Sequence, residues 1–363
     1  MSKADGMNYV PQGKVDVVCN PVEFRFAAIG LDHGHIYGMS QSLVDAGGEI
    51  ASVYDPDPQK VAAFQKSFPA AKAASSKEEV LSNRDIQLIA SAIVTSERGP
   101  LGVEVLSHGK HYFSDKAPFT TLEQVTAARR TVEQTGLRWW VCYSERLQNE
   151  AAVYAGNLIQ EGRIGRVLQV IGLGPHRLNA PSRPEWFFRK DKAGGILTDI
   201  GSHQIEQFLF YSGAKDARVV HSKVANYAHP EYPDFDDFGD ATLVADIGAT
   251  NYFRVDWFTP KGLRTWGDGR TFILGTEGYV ELRKYLDVAG EETGDQVYIV
   301  DHNGEHHIRA HGTVGFPFFG RLIRDVLEGS DTAMPQKHTF RAAELAVEAH
   351  LSAERITPAS SGT

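Results

Sequence analysis

Two side chains four residues apart, Asp199 and His203, stand in the run Gly194-Gly195-Ile196-Leu197-Thr198-Asp199-Ile200-Gly201-Ser202-His203. On a helix that spacing sets both on one face, one turn apart, where a carboxylate and an imidazole can reach the same point in a cleft. An imidazole titrates near neutrality and can take a proton from a hydroxyl, and a carboxylate beside it can orient it or hold an adjacent hydroxyl. Glycines at 194, 195 and 201 remove bulk where such a helix must pass close to a sheet or a ligand. The pair also suits a plainer role, Asp199 as a charge at a helix N-terminus and His203 as a core histidine. The rest of the chain has to decide between the two.

The first elements able to position ligands begin at Phe24. The apolar strand Phe26 to Ile29 ends in Gly30, the turn Leu31-Asp32-His33-Gly34-His35 follows, a helix is predicted from Ile36 to Ala46, and a second strand, Ile50 to Tyr54, ends in Asp55. Strand, turn, helix and strand with an acidic residue at the second strand tip is the arrangement a dinucleotide needs: a helix N-terminus and turn amides for the pyrophosphate, a carboxylate for the ribose hydroxyls. Gly30, Asp32, His33, Gly34 and His35 would form the turn, and Asp55 would take the ribose. Its charge would repel a 2'-phosphate, which favours NAD over NADP. In the G-x-G-x-x-G pattern the second and third glycine positions hold Asp32 and His35, with Gly34 displaced by one. Alternation continues with helices near 58–68, 76–80, 99–107 and 122–134 and strands at 88–94 and 137–143, which predicts a parallel sheet with ligands at its C-terminal strand ends. Thr95 and the pair Asp115-Lys116 fall beyond such ends, and Pro118 stops a helix from forming there.

After Tyr143 a longer helix, 149–161, and a strand, 167–172, mark a change of pattern. A loop rich in aromatic and basic groups, Pro181 to Arg189, leads into the Gly194 run, and from Val219 onward short strands dominate before two closing helices at 317–327 and 339–355. The expected architecture is α/β followed by α+β: a Rossmann-type parallel sheet, then a mostly antiparallel sheet with helices on one face and the other face free for oligomer contacts. The segments are an N-terminal extension, 1–23, as an arm or hairpin; a dinucleotide domain, 24–146; a substrate and oligomer domain, 147–355, whose last helix packs back on the first; and a tail, 356–363.

With 363 residues, 42% hydrophobic and 23% charged, the chain is long enough for two cores. A net charge of -9 argues against nucleic acid and anionic membrane, which need a basic face. Two cysteines, Cys19 and Cys142, exclude a disulfide framework and a thiolate zinc site, and no signal-length or membrane-length apolar run occurs. The reading is a protein of the cytoplasm with a small-molecule partner. No metal is expected: His306, His307 and His311 alternate along a strand without a supporting carboxylate cluster.

Taken together, the nucleotide unit, Asp115-Lys116 and the Gly194 run resemble the glucose-fructose oxidoreductase, inositol dehydrogenase and MocA (Gfo/Idh/MocA) family. Gly194, Gly195, Asp199, Gly201 and His203 match its Gly-Gly-x-x-x-Asp-x-Gly-x-His motif at every fixed position, and Asp115-Lys116 is similar to its Glu-Lys-Pro motif, with Ala117 where the family has proline. The resemblance spans roughly Phe24 to Glu354. It implies reversible hydride transfer between NAD and a secondary alcohol of a sugar or cyclitol, in a homo-oligomer, dimer or tetramer, formed through the second sheet. His203 would be the base, Asp199 would orient it, and Lys116 would hold the reacting oxygen. Tyr143, Arg146, Arg177, Trp186 and Arg189 are candidate substrate contacts, through ring packing on sugar C–H faces and guanidinium donors. Two other activities are compatible with the same fold: redox-neutral, NAD-dependent glycoside cleavage through transient oxidation, and nucleotide sensing without catalysis.

Overall fold

A computed structural model describes residues 6–357. Six short strands, β1 (Arg25–Ile29), β2 (Glu49–Tyr54), β3 (Lys72–Ala73), β4 (Leu88–Ser91), β5 (His111–Asp115) and β6 (Trp139–Cys142), form a parallel sheet in the order β3-β2-β1-β4-β5-β6. β1, β4, β5 and β6 are almost wholly buried, as expected of strands covered on both faces by crossover helices. Those helices are α1 (His35–Asp45), α2 (Pro58–Ser67), α3 (Lys77–Ser82), α4 (Thr95–Ser107) and α5 (Leu122–Thr135). Three of them start where the sequence supplies a cap: the side chains of Asp57, Ser76 and Thr121 accept from the amides of Gln59, Glu79 and Gln124. The strand order reverses between β1 and β4, and the crevice there opens at the C-terminal strand ends. α4 starts at Thr95, four residues before the expected Gly99, and carries Pro100 within it.

Two short helices, α6 (Ser144–Leu147) and α7 (Glu150–Gln160), lead to β7 (Val167–Pro175) of the second sheet. After it come α8 (Lys190–Ala193), α9 (Ile196–Asp199) and α10 (Gly201–Ser212), then β8 (Ala217–Ala225), β9 (Phe238–Ala245), β10 (Thr250–Asp256), β11 (Arg270–Gly275), β12 (Gly278–Arg283), β13 (Gln296–Asp301) and β14 (Gly304–Arg309). Helices α11 (Pro317–Glu328) and α12 (Gln336–Leu351) and strand β15 (Glu354–Ile356) finish the chain. The nine strands run β14-β13-β12-β11-β7-β10-β9-β8-β15, antiparallel except at β7–β10 and β8–β15. The sheet is therefore mixed, because β7 and β15 enter it by long crossovers. α10 lies on one face, with Gly201 against the Phe253 ring of β10. α12 spans both sheets: Gln336 accepts from the Trp139 amide at 2.7 Å, Phe340 packs against Trp139 and Phe119, and Ala349 accepts from the Ser222 hydroxyl.

The N-terminal segment is an extended arm, not a hairpin. It lies along α1 and the start of α11 and ends in a single turn, Gly6–Asn8, between the two sheets. The histidines near the C-terminal strands differ from expectation at two positions: His306 lies 3.8 Å from Asp301, and His311 lies 3.3 Å from Asp295 and 3.7 Å from Glu150, so carboxylates do accompany them. α7 and the loop after β14 meet there, and both Glu150 oxygens accept backbone N–H groups of residues 312–315, which ties that loop down.

Candidate active site

The chamber between the sheets is built from chain segments that end or turn there. β5 delivers Asp115 and Lys116 at its C-terminal end, and α9 and α10 deliver Asp199 and His203. Gly194 and Gly195 make the turn into α9 with φ of 86° and 94°, a backbone only glycine adopts readily. A Cβ at Gly195 would also lie 2.5 Å from the His350 ring. With Ile200 itself helical, α9 and α10 follow one path, and Asp199 and His203 line the same chamber as the spacing predicted.

Lys116 and Asp199 form a short ion pair that joins the first sheet to the second. Lys116 is 5% exposed and the Asp199 side chain 21%. Burial works to raise the Asp199 carboxyl, but the charge and hydrogen bond of Lys116 outweigh it and hold the group below its ordinary value, ionised. The peptide after Lys116, to Ala117, is cis, and the buried Arg98 guanidinium donates to both flanking carbonyls. Arg98 also pairs with Asp115 at 3.1 Å, while Asp115 accepts from the Lys116 amide and meets His35 Nδ1 at 2.9 Å. For Asp115, burial pushes upward and His35, Arg98 and His33 overcome it, leaving the carboxyl far below the usual range.

His203 is buried and its Nδ1 has no partner among the described residues. Burial, assisted by nearby Lys116, His176 and His35 and opposed by Glu145, brings its imidazole down to about 3, so the ring is neutral at working pH. Glu145 lies beneath it: its carboxylate accepts from Lys284 Nζ at 3.0 Å and Gln204 Nε2 at 2.9 Å and stands 3.9 Å from His176 Nε2. Burial would raise Glu145, but Lys284, His203 and His176 bring it down to about 2. His176 is also held neutral, at about 4, mainly by burial. Trp257, Trp266 and Tyr285 supply aromatic walls, with the His176 ring 4.4 Å from Trp266 and 5.5 Å from Trp257. The arrangement can anchor an oxygen at Lys116, accept a proton at His203 and exclude water.

On the other side of the chamber lies the Gly30 turn. Gly30 has φ 78°, and a Cβ there would come 2.6 Å from Ile93. His33 and His35 line the chamber, and Gly34 caps α1. Burial, then His35, keeps the His33 imidazole far below its ordinary value. Asp32 bonds Lys60 Nζ at 2.5 Å and the Val94 amide at 3.2 Å. Asp55 is 5% exposed; one oxygen accepts from the Leu31 amide and the other from the Asp57 amide, so it shapes the turn. Thr95 is buried at the start of α4, outside the chamber lining. In chemistry these residues suit a dinucleotide: the crevice at the strand ends, the bulk-free Gly30 turn and the α1 N-terminus are what a pyrophosphate requires.

Of the five expected substrate contacts, none lines the chamber. Tyr143 is fully buried with its ring 6.1 Å from that of His203. Arg146 turns away to Glu206 at 2.8 Å and lies over the Phe210 ring. Arg177 donates to the carbonyls of Pro260, Leu263 and Thr265, holding that loop. Trp186 packs on Phe187, and Arg189 is exposed and paired with Asp191. The residues that do line it, Glu145 and His176, are the immediate neighbours of Arg146 and Arg177. Adjacent residues on a helix turn or strand point apart, so a choice between neighbours by charge alone missed both.

Comparison with known proteins bears on this chamber. A model of the oxidoreductase family with an NAD-binding Rossmann fold matches residues 24–143, and one of the GFO/IDH/MocA C-terminal domain matches residues 153–281. A crystal structure from Erwinia carotovora atroseptica, provisionally described as an oxidoreductase, is 49% identical with a TM-score of 0.89, over 92% of this chain and 100% of that one. The D-xylose dehydrogenase of Paenarthrobacter nicotinovorans is 27% identical over 208 residues, 56% of this chain and 52% of that protein, so the match spans about half of that relative. The NAD-dependent scyllo-inositol 2-dehydrogenase of Bacillus subtilis is 25% identical over 262 residues, 71% of this chain and 73% of its own.

Proposed function

Because the chain belongs to the Gfo/Idh/MocA family of oxidoreductases with an NAD-binding Rossmann fold, we propose that it is a dehydrogenase acting on a secondary alcohol of a sugar or cyclitol. The observation that carries this is the Lys116–Asp199 pair beside the unpartnered His203 nitrogen, at the C-terminal crevice of the first sheet. A nicotinamide dinucleotide bound along that crevice supplies the hydride acceptor. Lys116 holds the alcohol oxygen and stabilises its negative charge as the carbinol C–H bond breaks, a contribution of several kcal/mol in comparable sites (about 3). His203 takes the hydroxyl proton on its neutral ring, and the nearby Glu145 carboxylate favours the imidazolium so formed. Asp199 keeps Lys116 in place. Trp257, Trp266 and Tyr285 offer flat faces to C–H groups of a ring substrate.

The Gly30 turn and the first turn of α1, at Gly34 and His35, would hold the pyrophosphate. Asp32, Asp55 and Asp57 outnumber Lys60 at the tip of β2, so negative charge there favours NAD over NADP, with Asp55 acting through the turn. Homo-oligomerisation would use the open face of the second sheet, where register sets Tyr252, Ile171 and Phe272 in one row and Leu274 and Tyr279 in the next. Four of these are exposed large hydrophobics. The cytoplasm suits the free thiols of Cys19 and Cys142; no helix among the described residues is long and apolar enough to cross a membrane.

The test is a panel of monosaccharides, inositols and simple glycosides mixed with protein and NAD, following NADH and product together. NADH should appear with one class and should fall by orders of magnitude in Lys116→Ala and His203→Ala while NAD binding persists. Product without NADH would point instead to redox-neutral cleavage.

A further inference from the structure

The N-terminal arm is fitted to the body of the protein along its whole described length. The Val18 amide bonds the Ala46 carbonyl at 2.9 Å, and the Lys14 carbonyl accepts from the Phe316 amide at 2.7 Å. Glycines clear its track: a Cβ at Gly47 would lie 2.3 Å from the Cys19 carbonyl oxygen, one at Gly315 2.2 Å from that of Lys14, and one at Gly13 2.4 Å from the Phe316 ring. Val15, Val18 and Cys19 pack on the core. Residues 14–19 are therefore a rail, held by backbone hydrogen bonds and close contacts far from the chamber.

The head of the arm enters the site. Gly6, Met7, Tyr9 and Pro11 line the same chamber as Lys116, Asp199 and His203. The Gly6 carbonyl lies 3.3 Å from His35 Nε2, and the Tyr9 ring packs 5.7 Å from Trp266 and 6.0 Å from Tyr285. Pro11 sits over Gly38, on the first turns of α1. With the head seated, the free space in the chamber is about 30 Å³, room for roughly two waters. Sites for small molecules run to hundreds of cubic ångströms, roughly 300 and upward. Neither a sugar ring nor the reactive end of a dinucleotide fits beside the seated head.

We infer that residues 6–11 are a strap over the substrate end of the cleft: the head must leave the chamber to admit ligand, while the rail stays docked. This rests on the dehydrogenase reading for what the strap covers, and on geometry alone for the strap itself. Head and rail differ in how they are held. Among the described residues, one long hydrogen bond and ring contacts tie the head to the body, whereas backbone bonds and packed side chains secure the rail, so the head can open without loss of fold.

The experiment compares the full chain with a variant lacking residues 2–11 and with Tyr9→Ala, using NADH as the probe in stopped-flow fluorescence and hydrogen exchange at amides 6–12. In the full chain the observed binding rate should level off with NADH concentration, because opening limits it. In the deletion it should stay linear and be at least about tenfold faster at high NADH, with Tyr9→Ala between the two even if the deletion fails to fold. Amides 6–12 should exchange slowly in the full chain and faster in Tyr9→Ala. Identical linear rates in all forms, or free-chain exchange at 6–12, would overturn the strap. If no form binds NADH, the dehydrogenase reading fails by itself, and the exchange data alone decide the strap: slow exchange released by Tyr9→Ala supports it, free-chain exchange removes it.

Discussion

Neutralising Asp199 should expose how much the fold depends on the ion pair at its chemical centre. In Asp199→Asn the Lys116 ammonium stays buried, 5% exposed, without its counter-charge. Breaking a buried pair by removing one partner costs about 3–5 kcal/mol. A loss at the lower end, about 3 kcal/mol, is expected, since the amide oxygen introduced by the substitution still accepts a hydrogen bond. Lys116→Met leaves Asp199 behind, but that carboxylate is 21% exposed and can be reached by water, so its loss should be smaller, about 2 kcal/mol. The double variant has no orphan charge and should lose only about 2 kcal/mol, a coupling near 3 kcal/mol. Urea unfolding of the four proteins, followed by tryptophan fluorescence at pH 7, gives the cycle. Additive losses, within about 0.5 kcal/mol, would refute the view that these two groups form one buried unit joining the two sheets.

Acid should weaken the fold through His203 and His176, whose imidazoles fall to about 3 and about 4. Their stabilisation is complete above the unfolded value near 6.5 and is lost as pH falls below it, at about 1.4 kcal/mol per pH unit for each ring. Urea unfolding measured between pH 7 and 5 should show the summed slope of all the buried histidines, His33, His111 and His350 included, and His176→Asn should remove one ring's share, about 1.4 kcal/mol per pH unit. The same neutral His203 predicts that kcat/KM does not fall near pH 6.5 as it would for an ordinary histidine base; a single inflection there, read from initial rates, would contradict the assignment. Leu274→Glu with Phe272→Glu, on the open sheet face, should convert an oligomer to monomers in light-scattering chromatography while leaving far-UV circular dichroism unchanged. An unaltered mass would move the interface elsewhere.

The parallel sheet, the mostly antiparallel second sheet and the grouping of Lys116, Asp199 and His203 were legible because each rests on local periodicity or on a motif with several fixed positions; the parallel pairings of β7 and β15, made by long crossovers, were not. What the sequence hid depends on direction and distance. Arg146 and Arg177 carry the conspicuous charge, yet the turn at Ser144–Leu147 and the end of β7 aim Glu145 and His176 at the chamber instead. Asp55 occupies the position expected for a ribose acceptor, but the shape of the turn draws both of its oxygens to the amides of Leu31 and Asp57. Arg98 had no motif to announce it, since its partners, the Lys116 and Ala117 carbonyls and Asp115, lie about a crossover away in sequence. The arm was recognisable as an extension by its prolines and glycines. Its path into the chamber follows from long-range packing against Gly47, Gly315 and Trp266.

The central claim is hydride transfer from a carbinol carbon, governed by Lys116 and His203. It is tested most directly with the alcohol that turns over best, carrying deuterium at the carbinol carbon, by following the label into the reduced dinucleotide with mass spectrometry. The account predicts one deuterium on the nicotinamide ring per product formed, a slowed rate for the labelled alcohol where chemistry limits turnover, and neither signal in Lys116→Ala. Product that forms with the deuterium washed into solvent, or with no reduced dinucleotide at all, would contradict it.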